Sequence, residues 1–122
     1  MRAKTVIASL TITFAALSMS PSVANAALSE CSGSNMCMWG NNDFMWLIGE
    51  RAHGSTSFVN LTGDKNDQMD SWANLSSRYD GCMTGAANGA GDKQGMARAS
   101  NDNNVSPLNS DEVTSWRTNG GC

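Results

Sequence analysis

The 122-residue chain lacks most of the features by which enzymes and nucleic-acid binders are recognised. It has one histidine, His53, and no Cys-x-x-Cys pair, so its four cysteines do not read as a metal site. No Gly-x-Ser-x-Gly elbow accompanies that histidine, and no pair of acidic residues stands out as a glycosidase dyad. His53 reads as a plain surface residue, and the chain is expected to be no enzyme, with no catalytic residue. There is no Lys/Arg cluster, which argues against nucleic acid as a partner. No long stretch repeats with a 3.6-residue period, and no low-complexity tail or linker divides the chain.

What is present begins with a targeting pattern. Arg2 and Lys4 precede an apolar run over residues 6–17, and Ala24-Asn25-Ala26 is a small-x-small cleavage site. Residues 1–26 read as a secretory signal peptide, their apolar run being too short to span a bilayer. Nothing later is apolar enough to do so, and a secreted, extracellular protein with no membrane partner is expected. The remaining residues, 27–122, carry six basic and eleven acidic side chains, a formal charge of −5. That length suits one small domain, expected to be monomeric, whose core alone leaves a thin margin of stability. Cys31, Cys37, Cys82 and Cys122 read as two disulfides in an exported chain. Four cysteines allow three connectivities. The repeat described next favours Cys31–Cys37 and Cys82–Cys122, with loop-entropy contributions of about 2 and about 4 kcal/mol.

The most informative feature is a phrase that occurs twice. Asn66-Asp67-Gln68-Met69-Asp70-Ser71-Trp72 returns 44 residues later as Ser110-Asp111-Glu112-Val113-Thr114-Ser115-Trp116. Cys37-Met38 precedes the first copy by 29 residues and Cys82-Met83 the second by 28. Two copies of one supersecondary unit follow, at about residues 36–80 and 81–122. Strand candidates are short: 36–39, 44–49 and 57–61, then the weaker 82–84, 95–99 and 113–116. They alternate with turn-rich stretches such as Gly40-Asn41-Asn42-Asp43 and Asn101-Asp102-Asn103-Asn104. The fold class is all-β, with two Greek-key motifs packed face to face. Trp72 and Trp116 are expected in the core, and Met38, Met45 and Met83 as gap-fillers there. Residues 85–95, mostly Gly, Ala, Asn and Asp, read as a long mobile loop. Asn60, Asn74 and Asn104 begin Asn-x-Ser/Thr triplets, which match the glycosylation-acceptor pattern.

Tandem copies, a secretory signal and a late Asn-Asp-x-x-(Asp/Thr)-Ser-Trp phrase resemble the βγ-crystallin superfamily. Cys31-Ser-Gly-Ser-Asn-Met-Cys37 followed by Met38-Trp39 makes the chain look most like its secreted bacterial metalloproteinase inhibitors. Within the superfamily's aromatic-x4-aromatic-x-Gly hairpin, Trp39 and Phe44 fit, but Trp46 stands in the glycine's place. The second copy lacks the aromatic pair, so its hairpin is expected to differ or be looser. The resemblance implies calcium as a candidate cofactor, held by oxygen donors of the phrases: Asp67 and Asp70 in the first, Asp111 and Thr114 in the second. The other reading of these residues is as solvated turns whose Asn and Asp side chains bond their own backbone. On that pattern Asp67 and Asp111 hold the position that lends a backbone carbonyl, Asp70 and Thr114 ligate directly, and Ser71 and Ser115 bond the folded hairpin of their own motif. Asp70 replaces a hydroxyl and Ser110 replaces Asn/Asp. The function it implies is inhibition of a secreted metalloproteinase through a loop on a rigid β scaffold, with residues 85–95 or 101–108 as candidate loops. The alternative is a calcium-binding structural module.

Overall fold

The computed structural model describes residues 28–105 and 110–122; residues 1–26, expected to be a signal peptide, and residues 106–109 of the second candidate loop lie outside them. Eight strands follow in order: β1 Met36–Asn41, β2 Met45–Arg51, β3 Val59–Asn60, β4 Ser71–Asn74, β5 Gly81–Thr84, β6 Lys93–Met96, β7 Ser100–Asp102 and β8 Ser115–Arg117. They form two antiparallel four-stranded sheets, ordered β2-β1-β4-β7 and β3-β8-β5-β6. Each motif therefore keeps three of its strands and gives its third to the other sheet. β3 of the first motif pairs with β8, and β7 of the second pairs with β4.

Strand alternation explains the core. On β1, Met36 and Met38 point between the sheets, where they meet Met69, Trp72, Met83, Met96 and Trp116. Cys37 and Trp39 point the other way, into a second cluster with Cys31, Phe44 and Ala73. That outer cluster is why β1 is buried on both faces. Trp39 and Phe44 meet edge to face, with ring centroids 5.1 Å apart. The disulfides are Cys31–Cys37 and Cys82–Cys122, one bridge per copy.

Polar clips join the motifs around this core. The buried Asn74 side chain donates to the carbonyls of Tyr79 and Met96 and accepts from the Ser76 amide. Its triplet is therefore structural. Arg51 donates to the Trp116 carbonyl at 2.6 Å and to Ser55 and Ser57, and its guanidinium lies over the Trp116 ring.

Several expectations are corrected. β4 and β7 were not foreseen as strands: Ser-Trp-Ala-Asn and Ser-Asn-Asp lack β-branched residues, and pairing with buried neighbours overrides that weak propensity. β6 begins two residues before its expected start, and β8 covers 115–117 rather than 113–116. Met45 is 50 % exposed instead of filling the core, because β2 is an edge strand and Met45 lies at its turn. The expected mobile loop 85–95 is a folded hairpin with a 3-10 turn at Ala87–Gly89 leading to β6.

The two hairpins share one backbone despite their different residues. Asp43, Phe44 and Trp46 have φ of 59°, 58° and 64°; Asn88, Gly89 and Gly91, each 45 residues on, have 57°, 80° and 79°. In the first hairpin a left-handed Phe and Trp each cost about 1–2 kcal/mol relative to glycine. The Trp46 ring lies over Gly40, and a side chain there would collide with it. In the second hairpin glycine fits the backbone, and the ring missing at position 89 is supplied by Phe58 of the other motif. A Cβ on Gly89 would lie 2.6 Å from that ring. Gly89→Ala combines left-handed strain with overpacking and is expected to cost about 2–4 kcal/mol. A urea unfolding midpoint equal to that of the parent would contradict this.

Candidate functional site

The two phrases cross. Asp67 and Asp111, the second residue of each, adopt left-handed backbones with φ of 57° and 58°. Each turn reaches into the other phrase: the Asp67 amide donates to the Val113 carbonyl at 3.0 Å, and the Asp111 amide to the Met69 carbonyl at 3.1 Å. The flanking bonds repeat the symmetry. Leu61 N–H donates to Thr114 O and Val105 N–H to Asp70 O. Behind each turn a buried serine locks its own hairpin. Ser71 Oγ donates to Asn41 O at 2.7 Å and accepts from Phe44 N at 3.1 Å. Ser115 Oγ donates to Ala86 O at 2.8 Å and accepts from Gly89 N at 2.9 Å. These are the structural roles that the resemblance implied for the two serines. They also explain why the second hairpin is not looser: the hydroxyl and the turn backbone hold it without the aromatic pair. Thr84, in the place of Trp39, adds a hydroxyl hydrogen bond to Ser115.

The four expected ligand residues fall into two pairs, each drawn from both copies, rather than into one cluster. Thr114 Oγ1 donates to Asp67 Oδ1 at 3.1 Å. Ser110 Oγ donates to Asp70 Oδ1, which places the Asp70 carboxylate beside the head of the second phrase, where its charge acts on Asp111. Asp111 is exposed, but partial loss of solvation, and then the charge of Asp70, raise its carboxyl above its ordinary range. Asp67 and Asp111 also line an open cleft of about 440 Å³ with Gly85, Gly91, Asp92 and Glu112. Asp92 escaped the sequence reading. It follows Gly91, the hairpin glycine of the second copy, and aligning the copies from Cys37 and Cys82 could have found it.

The donor set consists of carboxylate, hydroxyl and carbonyl oxygens, the chemistry of a hard divalent cation such as calcium. Asn66 Oδ1, at the head of the first phrase, is buried without a hydrogen-bond partner, which also fits such an ion. Among the described residues the only three His, Cys, Asp or Glu ligand atoms within 4.8 Å of one another belong to Cys31, Cys37 and Glu50. There the sulfurs are joined in the disulfide, and Glu50 is bound by the Asn35 side chain and the Ser32 amide, which hold its carboxyl below the ordinary value. His53 is likewise occupied: its Nδ1 lies 3.0 Å from the Ser34 carbonyl, and its ring stacks on Tyr79.

No protein-family model matches the chain, and no curated protein matches it. Solved structures do. One, from work on the evolution of the eye-lens βγ-crystallin domain fold, has a TM-score of 0.57 and 13 % identity, over 70 % of this chain and 89 % of that one. A βγ-crystallin domain from Flavobacterium johnsoniae gives 0.53 and 16 %, over 67 % and 90 %. The N-terminal domain of Protein S gives 0.51 and 21 %, over 68 % and 92 %. The fold is thus βγ-crystallin-like.

Two predictions test this site. Ser71→Ala removes the hydroxyl partner of the Asn41 carbonyl and the Phe44 amide, and Ser115→Ala that of the Gly89 amide while Thr84 Oγ1 still reaches the Ala86 carbonyl. Each is expected to cost about 1–3 kcal/mol by chemical denaturation, Ser115→Ala the less. The raised Asp111 carboxyl means that the folded chain keeps this proton to higher pH than the unfolded chain does. Its contribution therefore favours the fold below the unfolded value and is lost as pH rises through the folded value. Asp111→Asn should accordingly be more stable than the parent near about pH 7, with the gain vanishing near about pH 3. A gain that persists in acid would show that the carboxyl charge is not its cause.

Proposed function

We propose that the chain is an exported, non-catalytic binding module of one domain, residues 27–122, that takes up a calcium-class cation at its crossed turns. The observation that carries the reading is the convergence of Asp67 with Thr114 and of Asp111 with Asp70, each pair assembled from both motifs. Carboxylates held together by the fold repel one another, and a divalent cation relieves that repulsion. Asp67, Asp70, Asp111 and Thr114 would hold the ion, aided by backbone carbonyls of the turns, with Asn66 as a further oxygen donor in the first phrase. Because each pair draws on both motifs, a bound ion would brace one motif against the other.

Extracellular calcium modules work at about 10⁻⁴–10⁻³ M, and a dissociation constant in that range is expected by calorimetry. At roughly tenfold excess over that constant the melting temperature should rise on the order of 5–10 °C and fall back when chelator is added. Asp67→Asn should reduce both effects. No heat of binding, together with an unchanged melt at millimolar calcium, would reject the reading.

A second reading, inhibition of a secreted metalloproteinase, draws on the Cys31 to Trp39 opening and on the rigidity of the hairpins. Residues 85–95 are tied down by Ser115, and Met45 and Trp46 stand exposed beside the first hairpin, at 50 % and 43 %. A rigid apolar tip loses little conformational freedom on entering a protease cleft. The checking assay is titration of the 27–122 chain against thermolysin-like proteases. Stoichiometric inhibition at micromolar protein or below is the expected result, and full residual activity across several such enzymes would remove this reading.

A further inference from the structure

The chain contains two Asn-Gly pairs, Asn88-Gly89 and Asn119-Gly120. Asn-Gly is the pairing most open to spontaneous deamidation. Glycine leaves its own backbone nitrogen unhindered, so that nitrogen can attack the preceding side-chain carbonyl. The fold treats the two pairs in opposite ways. At Asn88 the side-chain carbonyl under attack and the attacking nitrogen are both held by hydrogen bonds. The Asn88 side-chain oxygen accepts from Asn60 Nδ2 at 3.2 Å, the Asn88 amide donates to Asn60 Oδ1 at 2.9 Å, and the attacking Gly89 N–H donates to Ser115 Oγ at 2.9 Å.

At Asn119 neither the side chain nor the Gly120 amide has a hydrogen bond among the described residues, and Gly120 is exposed with φ of +90°. A cation stands beside it. Arg117 Nε and Nη2 donate to the Gly121 carbonyl at 2.9 and 2.7 Å, and a Cβ on Gly120 would lie 3.4 Å from the guanidinium carbon. A positive charge there favours loss of the amide proton and steadies the oxyanion that forms on attack.

From this contrast we infer that Asn119 is a site of spontaneous modification and that Asn88 is protected by the fold. In the reaction the Gly120 nitrogen bonds to the Asn119 side-chain carbonyl carbon. Its proton passes to solvent, and ammonia leaves to give a cyclic imide. Water then opens the ring at one carbonyl or the other, giving aspartate or isoaspartate. No oxidant or reductant is consumed. The product carries a new carboxylate next to Arg117, in the segment that ends at the Cys82–Cys122 bridge.

The test is incubation of the folded 27–122 chain, disulfides intact, in mildly alkaline buffer. The Cys82–Cys122 bridge is then reduced and alkylated, so that the tryptic peptides 79–93 and 118–122 separate for mass spectrometry, with a parallel sample incubated unfolded in urea. Hydrogen bonds of ordinary strength must break before Asn88 can react, so Asn119 should convert about tenfold faster or more in the folded chain. In urea the two rates should converge, which assigns the difference to the fold. Comparable rates in the folded chain, faster conversion at Asn88, or no conversion at either site would overturn the inference. A gap that survives in urea would overturn it as well, since neighbouring sequence would then be its cause.

Discussion

The structure depends on a reciprocal pair of backbone hydrogen bonds, Asp67 N–H to Val113 O and Asp111 N–H to Met69 O. Each is made by a residue in a left-handed turn and accepted by the apolar residue just before the other phrase's Asp70 or Thr114. They fix the two turns against each other and deliver Met69 and Val113 into the shared core. The exchanged strands express the same constraint on a larger scale. With β3 in the second sheet and β7 in the first, neither motif can complete its own sheet alone. The acidic cleft is a by-product of this crossing, since side chains that follow the crossed turns have to face one another.

Given that frame, the hairpins tolerate wide variation in side chains. The first uses Phe44 and Trp46 in left-handed positions and recovers their strain through the Trp39–Phe44 contact and the Trp46 cover over Gly40. The second uses Gly89 and Gly91 and borrows Phe58 from the other motif. Both rest on a serine hydroxyl that bonds a carbonyl and an amide of the same turn. The backbone conformation is the shared element, and the aromatic residues are one of two ways to fill the space around it.

The repeat made much of this legible. Its period located the two motifs, and its serines and tryptophans took the places expected of them, with Trp72 and Trp116 in the core. What could not be read was anything decided across motifs. Asp70 and Thr114 sit beside residues of the opposite copy, and a linear comparison of phrases pairs them only with their own neighbours. Phe58 has no counterpart role in its own motif that would mark it as the cover for Gly89. β4 and β7 are strands because central or paired positions impose it on Ser, Asn and Asp residues that favour turns when alone. Met45 was misplaced for a similar reason, since its exposure follows from β2 lying at a sheet edge.

The central claim is that the crossed turns are part of one cooperative unit to which both motifs contribute equally. Native-state hydrogen exchange of the Asp67 and Asp111 amides tests it most directly. The account predicts that both amides exchange only through global unfolding, with the same free energy and denaturant dependence as the β1 and β5 amides. Fast exchange at either turn, or separate opening free energies for residues of the two copies, would contradict it.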